Sequence, residues 1–235
     1  MRSEETVMQK KTSPWTGREL AALLAVEFVF VIFVIKYPVQ SMYEQWLGNT
    51  LYSGTLTGLT IAITLLLGLY FVALRPHNLS WAALGVKHFP GKVWRRIPFW
   101  TLILIVLSLA AVYLTGLLGN PVENSKTESL QQHVSLLTIV IAIAAAGIVS
   151  PFYEEIFYRG FIYQWLRART GTGRAIMISS LIFTAAHFPT TNAMPVNFIS
   201  GAVLAWTYER TGSVVPGMIV HGLFNTIAVL LTALS

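Results

Sequence analysis

The sequence contains no cysteine and no aspartate, and only 11% of its 235 residues are charged. Without cysteine there is no disulfide, no thiolate metal site and no cysteine nucleophile. Without aspartate there is no aspartyl intramembrane protease, which needs a pair of those carboxylates. An ordinary soluble domain carries roughly 25% charged residues, so 11% charged against 54% hydrophobic reads as a membrane protein. Internal repeats and low-complexity segments are also missing, and the one sizeable loop, 76–97, is basic. Helices about 20 residues long with short connections then use up the length as one unit.

Residues 1–19 are polar and mixed in charge, and no small-residue cleavage site follows them, so they read as a tail before a retained first span. The net charge of +6 is spread over separate loops with no clustered patch, which argues against a nucleic-acid partner and for orientation in an anionic-lipid bilayer.

Seven apolar stretches are present, at 18–36, 54–75, 98–118, 134–166, 174–188, 195–209 and 214–233. They predict an all-α, polytopic membrane helix bundle of about seven transmembrane helices. The fourth stretch is too long for one crossing and predicts a broken helix at Pro151, since proline removes a backbone donor and crowds the carbonyl four residues back. With the N-terminus cytoplasmic, thirteen basic residues fall inside (Arg2, Lys10, Lys11, Arg18, Arg75, Lys87, Lys92, Arg95, Arg96, Arg167, Arg169, Arg174, Arg210) and two outside (Lys36, Lys126). That asymmetry is the positive-inside pattern. Seven tryptophans near span ends predict an interfacial belt, and Gly54 with Gly58 predicts close helix packing.

Within this apolar frame, residues 150–160 read SPFYEEIFYRG. Each ionisable side chain near the bilayer centre costs roughly 3 kcal/mol on insertion scales, so Glu154, Glu155 and Arg159 represent about 8–10 kcal/mol before pairing. Glu155 and Arg159 stand four apart on one helical face and can pair as a brace, whereas Glu154 is rotated about 100° away and has no such partner. A helix restarting at Pro151 would place Glu154 in its first turn, where free N–H groups favour an anion. FTAAH, from Phe183 to His187, and HGLFN, from His221 to Asn225, carry further polar groups. Thirteen residues separate Glu154 from Arg167, and thirteen separate Arg174 from His187. Each interval is roughly 20 Å of helix, which brings the carboxylate and imidazole to one depth. His221 and Asn225 lie eleven and fifteen residues beyond Arg210, roughly 16 and 23 Å, and reach the same layer. A carboxylate, two imidazoles and an amide together supply a base, a proton shuttle and oxyanion donors, the parts needed to add water to an amide.

Other chemistries compete for the same residues. Ser200-Gly201 with His221 suggests a rhomboid-type serine site, but Phe198 stands where GxSG needs glycine. Glu154, His187 and His221 offer three zinc ligands, though without HExxH. A transporter or scaffold using the polar layer as a hydrogen-bonded core explains the charges but not the presence of base, imidazole and amide together. Glu27, midway along the first span, reads as pairing across the bundle rather than lining a substrate path.

The residues also carry a resemblance. EEIFYR fits EExxxR, FTAAH fits FxxxH and HGLFN fits HxxxN. In that order and spacing the chain resembles the CAAX protease and bacteriocin-processing family, which includes the Rce1-like intramembrane glutamate proteases. The resemblance covers about residues 127–233 and implies a catalytic four-helix membrane core over 127–235; the spans before it resemble the family only in being apolar and read as three peripheral helices over 18–126, after a cytoplasmic tail at 1–17. It implies that Glu154 activates water with His187 as its partner, that His221 and Asn225 are oxyanion donors, and that Glu155, Arg159 and Phe183 support them without metal or cofactor. It further implies a peptide substrate near the membrane, prenylated or a bacteriocin leader, and either maturation or self-immunity. The short chain suggests a bacterial plasma membrane, with the site opening toward the cytoplasm.

Overall fold

The fold was obtained as a computed structural model, which describes residues 13–117, 134–188 and 190–234. Arg2, Lys10, Lys11 and Lys126, most of the expected tail and the expected boundary at 126–127 lie outside the described residues. The described chain is helical without strands, and its principal helices are α1 Gly17–Leu47, α2 Thr50–His77, α3 Gly91–Leu117, α4 Leu136–Thr170, α5 Thr172–Ala185, α6 Met194–Thr211 and α7 Val215–Leu234. Five of them (α1, α2, α3, α4 and α7) are long and apolar enough to cross a membrane, whereas α5 is a shorter apolar helix.

Local sequence sets the boundaries. Thr16 caps α1 and shares a capping box with Glu19. Between α1 and α2, Gly48 takes φ 60°, the left-handed turn that glycine adopts without strain. Asn49 then accepts from the amides of Leu51 and Tyr52 at 3.0 and 3.1 Å, starting α2.

The predicted break at Pro151 is corrected. Val149 and Ser150 keep right-handed helical dihedrals, and α4 runs on through widened, π-type turns at Ala144–Val149 and Glu155–Tyr163. Widened turns absorb a proline that a regular α-helix would not. Proline cannot donate to the carbonyl four residues back, which is that of Gly147. In the fold this carbonyl faces Gly222 of α7 so closely that a Cβ there would run into it. The same proline thus permits a tight α4–α7 seam, with Thr226 against Gly147.

Helix α4 is the central element, packed by α2, α5, α6 and α7. Nine consecutive residues, Glu155 to Tyr163, are buried, as expected of a helix surrounded on all sides. The outer helices instead expose large apolar side chains such as Phe33, Leu102, Tyr113 and Leu231. In a multi-pass membrane protein these face lipid. Trp15 and Trp100 are buried in the core rather than placed in a belt, while Trp46 and Trp94 are exposed. Gly54 and Gly58 have open space where a Cβ would stand, so the expected close packing does not occur at them.

The basic segments gather at one end of the bundle. Trp15 Nε1 donates to the Ala73 carbonyl at 2.8 Å, Arg169 to the Trp15 carbonyl at 2.7 Å and Trp165 Nε1 to the Thr16 carbonyl at 2.9 Å. Gln164 reaches the Ala83 carbonyl at 3.0 Å, and Ser213 the Lys87 carbonyl at 2.7 Å. The start of α1, the end of α2, the 78–90 loop, the end of α4 and the α6–α7 turn therefore share one face.

Candidate active site

The motif residues of α4 meet those of α5 and α7 in the interior. Glu155, fully buried, accepts through Oε1 from Arg159 Nη1 at 2.9 Å and bonds His221 Nδ1 at 3.0 Å. A carboxylate oxygen facing a ring nitrogen makes that nitrogen the donor, so Nδ1 of His221 carries a proton. Arg159 is held on its other sides by the Gly201 carbonyl at 3.4 Å and by the ring of Phe183, 4.5 Å from its centroid. The Arg159 guanidinium thus compensates the buried anion and the His221 N–H adds a hydrogen bond to it, which makes a charge at that depth tolerable. Glu155 Oε2 accepts no hydrogen bond among the described residues. It faces Gly217, where a Cβ would stand 2.9 Å away.

Glu154 points to the other side of the same imidazole. Its Oε2 lies 3.9 Å from His221 Nε2, too long for a hydrogen bond. Its Oε1 accepts from Ser150 Oγ, one turn earlier, and from the Tyr153 hydroxyl at 3.2 Å. The expectation that Glu154 has no local partner is therefore corrected, and so is its stabilisation by a helix N-terminus: α4 is continuous, and two hydroxyls take the place of free backbone amides. Ser150 stands four residues before Glu154, a spacing legible in the sequence but not used in reading it.

His187 lies just past the end of α5 and is half-buried. Its Nδ1 bonds the Phe183 carbonyl at 2.8 Å. A carbonyl only accepts, so Nδ1 is the protonated nitrogen and Nε2 carries the lone pair in the neutral ring. The ring packs on Phe183, with centroids 4.6 Å apart. Both His187 and His221 interact electrostatically with Glu154. Asn225 uses Nδ2 to donate to the Ala146 carbonyl at 2.8 Å, tying α7 to α4.

Glu154, Glu155, Arg159, Phe183, His187 and His221 therefore form one cluster, and Asn225 stands one turn along α7 from His221. Tyr153 joins them without any sequence signal, since an aromatic in an apolar run reads as core. Glu27 pairs across the bundle: its Oε1 accepts from the Tyr158 hydroxyl at 2.9 Å. Among the described residues no group of three or more His and Glu side chains is placed to hold a metal ion.

Residues 136–227 match the family described as Type II CAAX prenyl endopeptidase Rce1-like. No curated protein and no solved structure matches the chain. The match runs from the start of α4 into α7 and includes all three motifs. Over α4–α7 the chain is thus similar to the Rce1-like membrane endopeptidases, and α1–α3 of this multi-pass membrane protein lie outside the matched region.

Proposed function

We propose that the protein is an intramembrane endopeptidase in which Glu154 acts as general base on a water molecule that attacks a substrate peptide bond. The observation that carries this reading is one imidazole set between two buried glutamates, with His221 Nδ1 on Glu155 and Nε2 3.9 Å from Glu154. A water about 2.8 Å from both Nε2 and Oε2 would subtend about 90°, compatible with two hydrogen bonds.

One O–H bond of that water breaks toward Glu154, its oxygen bonds the carbonyl carbon, and the carbonyl electron pair becomes an oxyanion. His221 gains stability as an imidazolium from the carboxylate on Nδ1, so its Nε2–H can serve the oxyanion beside the Asn225 amide. His187, with its Nδ1 proton directed to Phe183, has Nε2 for proton exchange with Glu154. As the C–N bond breaks, the proton taken from water passes to the leaving amine, and Glu154 returns to its carboxylate form.

Helices α4–α7 form the catalytic core in this reading, and α1–α3 flank it. The substrate class is a peptide held at the membrane, either a prenylated C-terminal segment or a bacteriocin leader, the cleavage serving maturation or self-immunity. The distribution of basic residues supports an N-terminus in the cytoplasm, a site opening to that side, and an anionic membrane such as the bacterial plasma membrane.

The test is cleavage of a peptide library by the purified protein in detergent, with and without chelator. The reading predicts cleavage at equal rates in both arms. Absence of cleavage would leave a scaffold or immunity protein of the same fold, and loss of cleavage with chelator would transfer the chemistry to zinc.

A further inference from the structure

Helix α5 has 14 residues, or about 21 Å at the helical rise, against a hydrocarbon core of about 30 Å. Its C-terminal carbonyls therefore end at membrane depth, where no bulk water can satisfy them. The chain answers partly by tightening: His187 N donates to the Thr184 carbonyl at 3.0 Å and Phe188 N to the Ala185 carbonyl at 3.1 Å. The Ala186 carbonyl is met from outside, by Lys36 Nζ of α1 at 2.8 Å.

A cation at a helix C-terminus is favourable in itself. Here it is bonded to the residue immediately before His187. Lys36 also departs from the usual habit of a lysine in a membrane helix, whose ammonium reaches out to the interface. Its ammonium instead turns inward, onto a backbone carbonyl of α5. Glu27 makes a second tie from α1, to Tyr158, whose ring meets Phe183 edge-on at 5.0 Å. Phe183 in turn holds His187 by a tilted ring contact, centroids 4.6 Å apart, and by its carbonyl. One helix thus grips both sides of the support that holds His187.

We propose that α1 belongs to the active site and that Lys36 is a positioning residue for His187. The inference rests on the proteolytic reading above, and its test separates the two. Lys36→Met removes the cation and Lys36→Arg keeps it. Lys36→Gln, whose amide nitrogen is one bond nearer the backbone, covers the case in which the methionine variant does not fold.

Each variant is placed in nanodiscs and assayed with a farnesylated fluorogenic peptide. In parallel, carbethoxylation of individual histidines by diethyl pyrocarbonate is followed by mass spectrometry, which needs no turnover. The expected result is a kcat lowered about 100-fold in Lys36→Met, the loss that follows a displacement of about 1 Å. KM should change less than twofold and Lys36→Arg should recover most of the rate. The labelling rate of His187 should shift several-fold while that of His221 stays constant. Wild-type kcat in the methionine or glutamine variant, or unchanged His187 labelling, overturns the role of Lys36. If the wild-type protein cleaves nothing, the proteolytic reading fails, and the labelling arm still decides whether Lys36 sets the histidine.

Discussion

Arg159 and Glu155 pair 2.9 Å apart with almost no exposure, so removing either leaves a charge stranded. Arg159→Ala should destabilise the protein by about 3–5 kcal/mol, because the buried carboxylate keeps its desolvation cost and loses its main partner. Chemical denaturation in detergent would register it, and a loss below about 1 kcal/mol would show that the pair is not the brace described here. Tyr158→Phe tests the second buried acid. It withdraws the donor from Glu27, whose other oxygen already has no hydrogen bond among the described residues, and should cost about 1–3 kcal/mol. The Glu155–Arg159 contact was legible from the i,i+4 spacing alone. The contact between Glu155 and His221 was not, because it depends on how α7 is rotated against α4, and spacing along one helix says nothing of that.

The seam between α4 and α7 depends on backbone approach at Gly147 and Gly222. Gly222→Ala should separate the two helices and lower stability by about 1–3 kcal/mol, the usual cost of overpacking. Gly54→Ala and Gly58→Ala should match wild-type stability or exceed it by up to about 1 kcal/mol, since each has open space at the Cβ position and alanine favours a helix. Thermal unfolding in one detergent ranks all three, and equal losses would refute the seam. Hydrophobic runs placed the helices well: stretches at 174–188, 195–209 and 214–233 became Thr172–Ala185, Met194–Thr211 and Val215–Leu234. They missed how far α1 extends, to Leu47, since Pro38 sits inside a widened helix and does not end it. Pro151 misled for the same reason. A proline forecasts the loss of one hydrogen bond, and whether the helix stops or widens is decided by the neighbours packed around it.

The gathering of five basic segments at one end converts charge counting into a geometric statement about the assembled bundle. Because the sequence has no cysteine, single cysteines introduced at Lys92 and at Asn49 can report the two ends separately. A membrane-impermeant maleimide added to intact cells should label Asn49→Cys and should reach Lys92→Cys only after permeabilisation. The reverse pattern would invert the orientation. The polar cluster in the middle of this bundle stands apart from both ends, and the chemistry proposed for it hangs on one carboxylate. The decisive measurement is the single-turnover cleavage rate of a membrane-anchored peptide by purified Glu154→Gln protein, compared with wild type at matched thermal stability. The glutamine keeps the size and polarity of the side chain but cannot take a proton from water, so the rate should fall by at least about 10²–10⁴, the contribution of a general base. A folded Glu154→Gln protein that cleaves at the wild-type rate would contradict the account.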